Sequence, residues 1–395
     1  MFKKPISYKA SQFTESVIRE MTRLAMEHQA INLSQGFPDF AAPDVLKKAA
    51  ADAIFADLNQ YAITWGAKNF RDALVYKTKK FMGIDIDPER EITVSCGSTE
   101  AMIDVLLAVI NPADEVVVFE PFYENYGPDA IISGATPRYV QLRRPDWSFD
   151  EKELAAAFNN HTKAIIINTP NNPTGKVFSR EELRFIADLC QKWDVLAITD
   201  EIYEHIIYDG LKQISIATLD PALKARSIVV NGFSKAYAMT GWRLGYCAGP
   251  REVIEMCDRL QSQTTSNATA FAQVAGIEAL TGPQESVGAM AQAFEERRNF
   301  VVQRLNAIHG ITCNTPRGAF YIFPNIAALF GRRAQGQPLT TAAEVADYLL
   351  EAAGVAVVPG DAFGDDHYMR ISYASSMAEL EDGLARIDQA VQQLA

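Results

Sequence analysis

Short apolar runs alternate with amphipathic segments along the chain from about residue 91. The runs are four to six residues long, rich in Val and Ile, and lie at 91–95, 115–119, 164–168, 195–199, 227–230 and 243–248. Several lack polar alternation, which is typical of strands buried on both faces. Helical patterns lie between them, as at 99–110 and 179–193. This order predicts an α/β domain with a mainly parallel, seven-stranded type of sheet and helices on both sides.

The pattern changes after Gly282 and Pro283. A long helix is predicted over 284–308, and a second helix near 341–353. The apolar segments GAFYIF, VAVVPG and MRISYA and a closing helix complete this part of the chain. We therefore predict a large domain over 45–285 and a smaller α+β domain formed by 1–44 and 286–395.

Composition and charge exclude several classes of function. The chain has 395 residues and a net charge of -12, so it has no basic excess with which to bind nucleic acid. The N-terminus has no apolar signal region and no run of about 18 apolar residues occurs, so we expect no membrane span and a cytoplasmic location. Five scattered cysteines and five histidines show no metal-ligand spacing, so we expect reduced thiols and no metal.

Polar residues follow the carboxyl ends of the predicted strands. In an open parallel sheet, ligands bind beyond these ends. The residues that would meet there are Gly97, Ser98, Thr99, Tyr123, Asn172, Asp200, Tyr203, Ser234 and Lys235. Their convergence predicts one site at this edge of the sheet.

Lys235 is the candidate nucleophile of this site. It follows a strand end and precedes Arg243 in the string SKAYAMTGWRLGY. A lysine forms an imine only when it is neutral, and burial beside another cation lowers its pKa toward that state. A lone SK dipeptide would indicate a solvated surface lysine, but the full SK-x₇-R string favours the reactive role.

Asp200 ends an apolar strand, so its carboxylate needs a cationic partner. A protonated pyridine nitrogen is such a partner. Tyr203 would then donate a hydrogen bond to a phenolic oxygen carried by the same pyridine ring. The alternative is that Asp200 caps a helix in EIYEHIIY. Both interpretations stay open at this point.

Gly97, Ser98 and Thr99 stand between a strand and a helix, where backbone N–H groups and the helix dipole favour an anion. Ser234 and Arg243 would add contacts to a phosphate. Ser and Thr are also ordinary helix caps, so this pattern alone is weak evidence.

Asn172 and Arg370 complete the candidates. Asn172 lies in the loop NNPTG, where it either donates to a ring oxygen or serves only in a turn. Arg370 lies in the apolar segment MRISYA and needs an anion, either a substrate carboxylate or a structural salt-bridge partner.

These strings resemble a known family. SKAYAMTGWRLGY, TPNNPTG, TDEIYEH, SQGFPDF, NQY and MRISYA, in that family's order over about 32–387, resemble the class I and II aminotransferases of fold type I. The resemblance implies an aspartate-aminotransferase-like transaminase that uses pyridoxal 5'-phosphate.

The resemblance also implies a role for each candidate. Lys235 would hold the cofactor covalently and transfer the proton, Asp200 would pair with the ring nitrogen, and Tyr203 and Asn172 would bind the ring oxygen. The other implied roles are stacking by Tyr123, phosphate binding by Gly97, Ser98, Thr99, Ser234 and Arg243, phosphate binding in the neighbouring subunit of a homodimer by Tyr61, and carboxylate binding by Gly36 and Arg370. It further implies cis peptide bonds before Pro121 and Pro173.

The segments that bear on substrate choice point to different branches of the family. The segment 261–285 contains no Arg or Lys, which disfavours the dicarboxylate-binding arginine of one aspartate aminotransferase branch. SQGFPDF resembles the kynurenine, glutamine and methionine branch, whereas QSQTTSNATAFAQ resembles bacterial aspartate or aromatic aminotransferases. Phe13, Tyr61 and Trp65 either line an aromatic pocket or belong to the core.

We therefore expect broad activity toward aromatic, methionine-like or glutamine-like donors. The alternatives are an aspartate aminotransferase, a C–S β-lyase or a cyclopropane-forming synthase on the same cofactor. A non-catalytic binding protein of the same fold is disfavoured because the lysine is present.

Overall fold

The computed structural model describes Ser7, residues 9–13 and residues 15–395. Residues 1–6, 8 and 14, which belong to the predicted small domain, lie outside the described residues.

Helices account for much of the described chain. The α-helices are α1 Val17–Glu27, α2 Asp44–Phe55, α3 Lys68–Lys77, α4 Ser98–Val109, α5 Tyr126–Ser133, α6 Glu151–Ala157, α7 Arg180–Trp193, α8 Pro221–Lys224, α9 Arg251–Thr264, α10 Ala270–Thr281, α11 Glu285–Ala307, α12 Ala342–Tyr348 and α13 Met377–Gln392. Short 3₁₀ or π turns lie at Lys9–Gln12, Thr78–Met82, Ile216–Thr218, Thr240–Trp242, Ala327–Leu329, Leu349–Ala353 and Gly360–Phe363.

The strands are mostly short. They are β1 Ile31–Asn32, β2 Ile92–Ser95, β3 Glu115–Glu120, β4 Thr136–Arg143, β5 Ser148–Phe149, β6 Thr162–Asn168, β7 Leu196–Asp200, β8 Ser227–Gly232, β9 Gly245–Ala248, β10 Tyr321–Ile322, β11 Arg333–Ala334, β12 Gln337–Pro338, β13 Val355–Ala356, β14 Val358–Pro359 and β15 Met369–Ser372.

The central sheet has eight strands in the order β2-β9-β8-β7-β6-β3-β4-β5. The run from β8 to β4 is parallel, whereas β9 is antiparallel to both of its neighbours and β5 is antiparallel to β4. The predicted mainly parallel sheet is therefore confirmed, and all six apolar runs form strands. Strands β4 and β5 were not predicted, and β5 brings the number of strands to eight. Their pattern was weak because most residues of β4 are polar or exposed.

Alternate residues of the central strands enter two different apolar clusters, as the twofold repeat of a strand requires. Val117 of β3 and Ile165 of β6 pack in one cluster with helix α7. Val118 of β3 and Ile166 of β6 pack in another with α4 and α9. Burial on both faces explains why these strands are continuously apolar.

The C-terminal part of the chain forms a separate apolar cluster. The predicted long helix is confirmed as α11, whose Phe294, Val301 and Leu305 pack against residues that include Ile371 of β15 and Leu384 of α13. Strands β10, β15 and β14 form an antiparallel sheet, and β1 pairs in parallel with β13. The N-terminal segment thus joins the C-terminal part, and the division into 45–285 and the rest stays a prediction.

The cis peptide bonds predicted before Pro121 and Pro173 are confirmed. Two further cis bonds precede Pro145 and Pro170. Within the described part of the chain, no helix is long and apolar enough to cross a membrane. The cytoplasmic location stays a prediction.

A buried ion pair connects helix α3 to the loop that follows β7. Lys77 Nζ contacts the Glu204 carboxylate and donates to Tyr246 Oη at 3.0 Å. The side chains of Lys77 and Glu204 are only 7% and 4% exposed. Burial alone would lower the pKa of Lys77, but Glu204 and Tyr246 outweigh it and raise the pKa, so the pair is charged.

Lys77→Met should destabilise the protein by about 3–5 kcal/mol, because it leaves the buried Glu204 charge without a partner. The free energy of unfolding in urea measures this. The matched control is Lys48→Met, which removes an exposed pair with Asp52 and should cost about 1 kcal/mol or less. Equal effects of the two substitutions would contradict the assignment of a charged buried pair.

Candidate active site

A cavity of about 420 Å³ lies at the carboxyl edge of the central sheet. It brings together most of the residues predicted from the sequence, namely Gly36, Ser98, Thr99, Tyr123, Asn172, Asp200, Tyr203, Ser234, Lys235, Arg243 and Arg370. Its other lining residues are Ser16, Ile18, Arg19, Phe37, Glu124, Tyr126, Asn168, Ile202, Thr240 and Tyr321. Gly97 and Tyr61 are the predicted site residues that do not line it.

Lys235 reaches the cavity from the loop after β8. Its Nζ donates to the backbone oxygen of Gly36. Desolvation lowers the pKa of Lys235 to about 7, with Arg370 and Arg243 acting in the same direction and Asp200 opposing them. Near neutral pH the amine is therefore neutral in a substantial fraction of molecules, which is the condition for a nucleophile or base.

Asp200 is the last residue of β7 and is 7% exposed. Its Oδ2 accepts from Tyr126 Oη at 2.7 Å, and its Oδ1 accepts from the N–H of Ile202 at 3.2 Å. Burial raises the pKa of Asp200, and the two hydrogen bonds act against that rise. Residues 202–205 form turns and Ile207 forms a β-bridge with Gly318, so no helix follows Asp200 and its interpretation as a helix cap is wrong.

Tyr203 lies three residues beyond Asp200 and is buried. Its hydroxyl lies 3.0 Å from the hydroxyl of Tyr321, and the two rings are nearly perpendicular. Tyr321, on β10, was not predicted, because a tyrosine within the apolar run GAFYIF looks like a core residue. Tyr126 was also not predicted. It lies three residues after Tyr123, at the start of α5, and residues three apart near a helix lie close together, so this spacing was a signal that both line the cavity.

Arg370, on β15, is fully buried. Its Nη1 donates to Asn172 Oδ1 at 3.0 Å and its Nη2 donates to the Ser34 oxygen at 2.6 Å. The guanidinium carbon lies 4.4 Å from the ring centroid of Tyr321 and 4.9 Å from that of Phe363.

No carboxylate of the described residues forms an ion pair with Arg370, so the salt-bridge interpretation is wrong. Its buried Nε also has no hydrogen-bond partner among them. Neutral oxygens and two rings therefore surround a buried cation. Because a buried charge requires an opposite charge, this position suits the carboxylate of a ligand.

The N-terminus of helix α4 faces the cavity through Ser98 and Thr99, its first two residues. The helix begins one residue before the predicted Thr99, and its cap is Gly97 rather than a hydroxyl residue. The first N–H groups of a helix lack partners within it, so this end of α4 suits an anion. Ser234 lines the same cavity and is 6% exposed.

Gly97 supports this region without entering the cavity. Its N–H donates to the Ser95 oxygen, and its φ is +91°. A Cβ at Gly97 would lie 2.3 Å from Nη2 of Arg243. Arg243 itself donates to the Thr240 and Cys96 oxygens, at 3.0 and 3.2 Å. The glycine therefore leaves the space that the Arg243 guanidinium occupies beside α4.

Tyr61 lies elsewhere on the surface and is 87% exposed. It lines a second cavity, of about 430 Å³, together with Asn267 and Phe271. Neither Phe13 nor Trp65 lines the cavity that contains Lys235. Of the two alternatives for Phe13, Tyr61 and Trp65, the aromatic pocket is therefore wrong for the single chain, and the core is wrong for the exposed Tyr61.

The comparisons with known proteins agree with this geometry. The family model for aminotransferase class I and II matches residues 28–387. The aspartate aminotransferase of Geobacillus stearothermophilus is 38% identical over 391 residues, which are 97% of this chain and 98% of that protein.

Solved structures give the same result. The crystal structure of the aspartate aminotransferase from Rhizobium meliloti has a TM-score of 0.95 and 36% identity, and the match covers 100% of both chains. The aromatic aminotransferase from Pyrococcus horikoshii OT3 has a TM-score of 0.86 and 36% identity, over 95% of this chain and 99% of that one. This chain belongs to the class I and II aminotransferases of fold type I, and it is a pyridoxal-phosphate-dependent transaminase.

Proposed function

We propose that this transaminase takes aspartate as its amino donor and that the cavity around Lys235 is its active site. The main observation in support of this active site is that Lys235, Asp200 and Arg370 line one cavity. The names of the relatives support aspartate, the alternative considered from the sequence, over the expected broad activity toward aromatic, methionine-like or glutamine-like donors. The similarity to an aromatic aminotransferase keeps aromatic donors as the second candidate.

The residues of the cavity fit pyridoxal phosphate. The orphaned Nε of Arg370 and the open N-terminus of α4 are two separate places where negative charge is needed. The groups proposed to hold the cofactor are Lys235 for the aldehyde, Asp200 for the ring nitrogen, Tyr203 and Asn172 for the ring oxygen, Tyr123 for the ring face, and Ser98, Thr99, Ser234 and Arg243 for the phosphate. When bound, the cofactor supplies an electron sink for negative charge on the substrate α-carbon.

The protein's own groups then perform binding and proton transfer. Arg370 holds the substrate α-carboxylate, beside the backbone of Gly36, and its contact with Asn172 fixes the orientation of the guanidinium. Lys235 Nζ takes the proton from the α-carbon and returns it during the reaction. Its pKa of about 7 suits this role, because a base is most effective when its pKa is near the working pH.

We further propose a homodimer in which Tyr61 of each subunit reaches the phosphate region of the other. Tyr61 lies outside the cavity of its own chain. Large apolar side chains exposed on the same part of the chain are Ile54, Phe55, Leu58 and Ile63. Several exposed large apolar side chains within ten residues of sequence support an interface at this part of the chain.

A panel of amino donors with 2-oxoglutarate tests the proposed function. We expect a kcat/KM for aspartate about tenfold or more above those for phenylalanine, methionine and glutamine, with one 2-oxoglutarate consumed for each donor, since a tenfold ratio needs only about 1.4 kcal/mol of differential binding. Lys235→Ala should lower the rate by at least about 10²–10⁴-fold, while the control Lys212→Ala, an exposed lysine, should not change it. A preference for phenylalanine would favour the second candidate, and release of pyruvate and ammonia without an acceptor would indicate a lyase.

Arg370→Met should raise the pKa of Lys235 in the cofactor-free protein, because Arg370 is the charged group that lowers it most. The lysines are methylated with ¹³C-formaldehyde, the Lys235 signal is assigned with Lys235→Ala, and its titration is followed by NMR. The wild-type midpoint should lie near pH 7 and the variant midpoint clearly higher. The control is Arg386→Met, which replaces an exposed arginine on α13. A wild-type midpoint near that of an ordinary lysine would contradict the proposed environment.

A further inference from the structure

The segment that follows β7 carries acidic side chains that the proposed reaction does not use. Asp200 and Tyr203 line the active-site cavity, whereas Glu201 and Glu204 are buried outside it, at 0% and 5% exposure. Residues 201–206, called the Tyr203 turn below, form neither a helix nor a strand. Because a buried carboxylate is costly unless it is paired, these two side chains require partners from elsewhere in the fold.

The backbone holds the Tyr203 turn to the rest of the fold at its two ends. The N–H of Glu201 donates to the Val230 oxygen at 3.0 Å, and the Ile206 oxygen accepts from the N–H of Ala319 at 2.9 Å. Within the turn, the N–H of Ile206 donates to the Tyr203 oxygen at 2.8 Å, which joins the turn only to itself. The orientation of Tyr203 therefore depends on side-chain contacts between the two ends.

Lys77 supplies an anchor for the middle of the turn. Its Nζ contacts the carboxylate of Glu204, which directly follows Tyr203 in the chain. Among the residues that the structure describes, no other lysine or arginine forms an ion pair with the turn. His205 Nε2 lies 3.7 Å from the same carboxylate, but burial lowers the pKa of His205, so the histidine is neutral near pH 7. Lys77 is thus the charged partner of Glu204.

Helix α3 connects this anchor to the loop that carries Lys235. Lys77 is the last residue of α3, and Phe70 lies two turns earlier on the same helix. The ring of Phe70 packs against that of Phe233 with a distance of 5.6 Å between their centroids, and Phe233 lies two residues before Lys235. One helix therefore contacts both the Tyr203 turn and the segment before the reactive lysine.

We propose that Lys77 is a positioning residue for the cofactor ring. By binding Glu204, it holds the Tyr203 turn so that the Tyr203 hydroxyl is directed at the ring oxygen. This inference rests on the proposed role of Tyr203 and not on the choice of amino donor. A buried ion pair often contributes no more stability than apolar side chains of the same volume, so orientation explains its presence at this place better than stability does.

A pH titration of the holoenzyme, followed by the absorbance of the bound cofactor, tests this role without an activity assay. A ring oxygen that accepts a hydrogen bond from Tyr203 shares its negative charge with that proton, and so stabilises a protonated nitrogen at the link to Lys235 less. Tyr203→Phe should therefore raise the midpoint by about 0.5–1 pH unit, the size expected for one lost hydrogen bond. Lys77→Met should raise it by about 0.3 pH unit or more, because the same bond is weakened.

A double variant separates positioning from a general structural role. If Lys77 acts through Tyr203, Lys77→Met should have no further effect on the midpoint in the Tyr203→Phe background, because the effects of coupled residues do not add. Lys77→Arg retains the charge and should return the midpoint toward that of the wild type. Glu204→Gln removes the other partner of the ion pair and should shift the midpoint as Lys77→Met does, so it replaces that variant if Lys77→Met does not fold.

Leu154→Ala is the control for lost stability. Leu154, on α6, is fully buried in an apolar cluster outside the active site, and its truncation opens a cavity there. Like Lys77→Met, this variant should unfold at a lower urea concentration than the wild type. Unlike Lys77→Met, it should leave the midpoint of the cofactor titration unchanged.

The outcomes separate this inference from the proposed roles on which it rests. A shift in Tyr203→Phe without one in Lys77→Met or Glu204→Gln would overturn the role of Lys77 alone. Shifts that add in the double variant, or an equal shift in Leu154→Ala, would also overturn it, because they would indicate a general effect of destabilisation. An unchanged midpoint in Tyr203→Phe would refute the ring-oxygen role of Tyr203 and the inference with it, whichever amino donor the enzyme prefers.

Discussion

The proposed chemistry of this protein depends on the lowered pKa of Lys235. An amine that is removed from bulk water and placed near Arg370 and Arg243 loses its proton near pH 7 rather than above pH 10. The same two arginines are the groups proposed to bind the substrate carboxylate and the cofactor phosphate, so one arrangement of charge would serve both purposes. Anions bound to the two arginines would weaken their effect on Lys235, so burial, the largest cause of the lowered pKa, would be the one that persists.

The fold supplies this arrangement from distant parts of the chain. Strands β7 and β8 end at the same edge of the sheet and place Asp200 and Lys235 together, while α4 directs its N-terminus to the same point. Strand β15, from the C-terminal part, adds Arg370, and the segment after β1 adds Gly36. Because the site is completed by both parts of the chain, a movement of one part against the other would open or close it.

The sequence predicted the features that depend on hydrophobic periodicity and on the residues that follow each strand. Buried parallel strands are continuously apolar, and the residues that follow them necessarily meet, so the sheet and most of the site were predictable. Strand β4 was not, because its solvent-exposed residues hide the pattern. Tyr321 resembled a core residue, and Tyr126 was not predicted to line the cavity. These side chains reach the cavity because distant segments of the chain pack together, and the sequence of one segment does not indicate this packing.

Reduction of the purified protein with borohydride tests the central claim most directly, because it makes an imine between a lysine and an aldehyde permanent. After digestion, mass spectrometry should find the pyridoxyl phosphate group on the peptide that contains position 235, and the absorbance of the bound cofactor should change with the reduction. An unmodified peptide at this position, or the group on another lysine, would contradict the account.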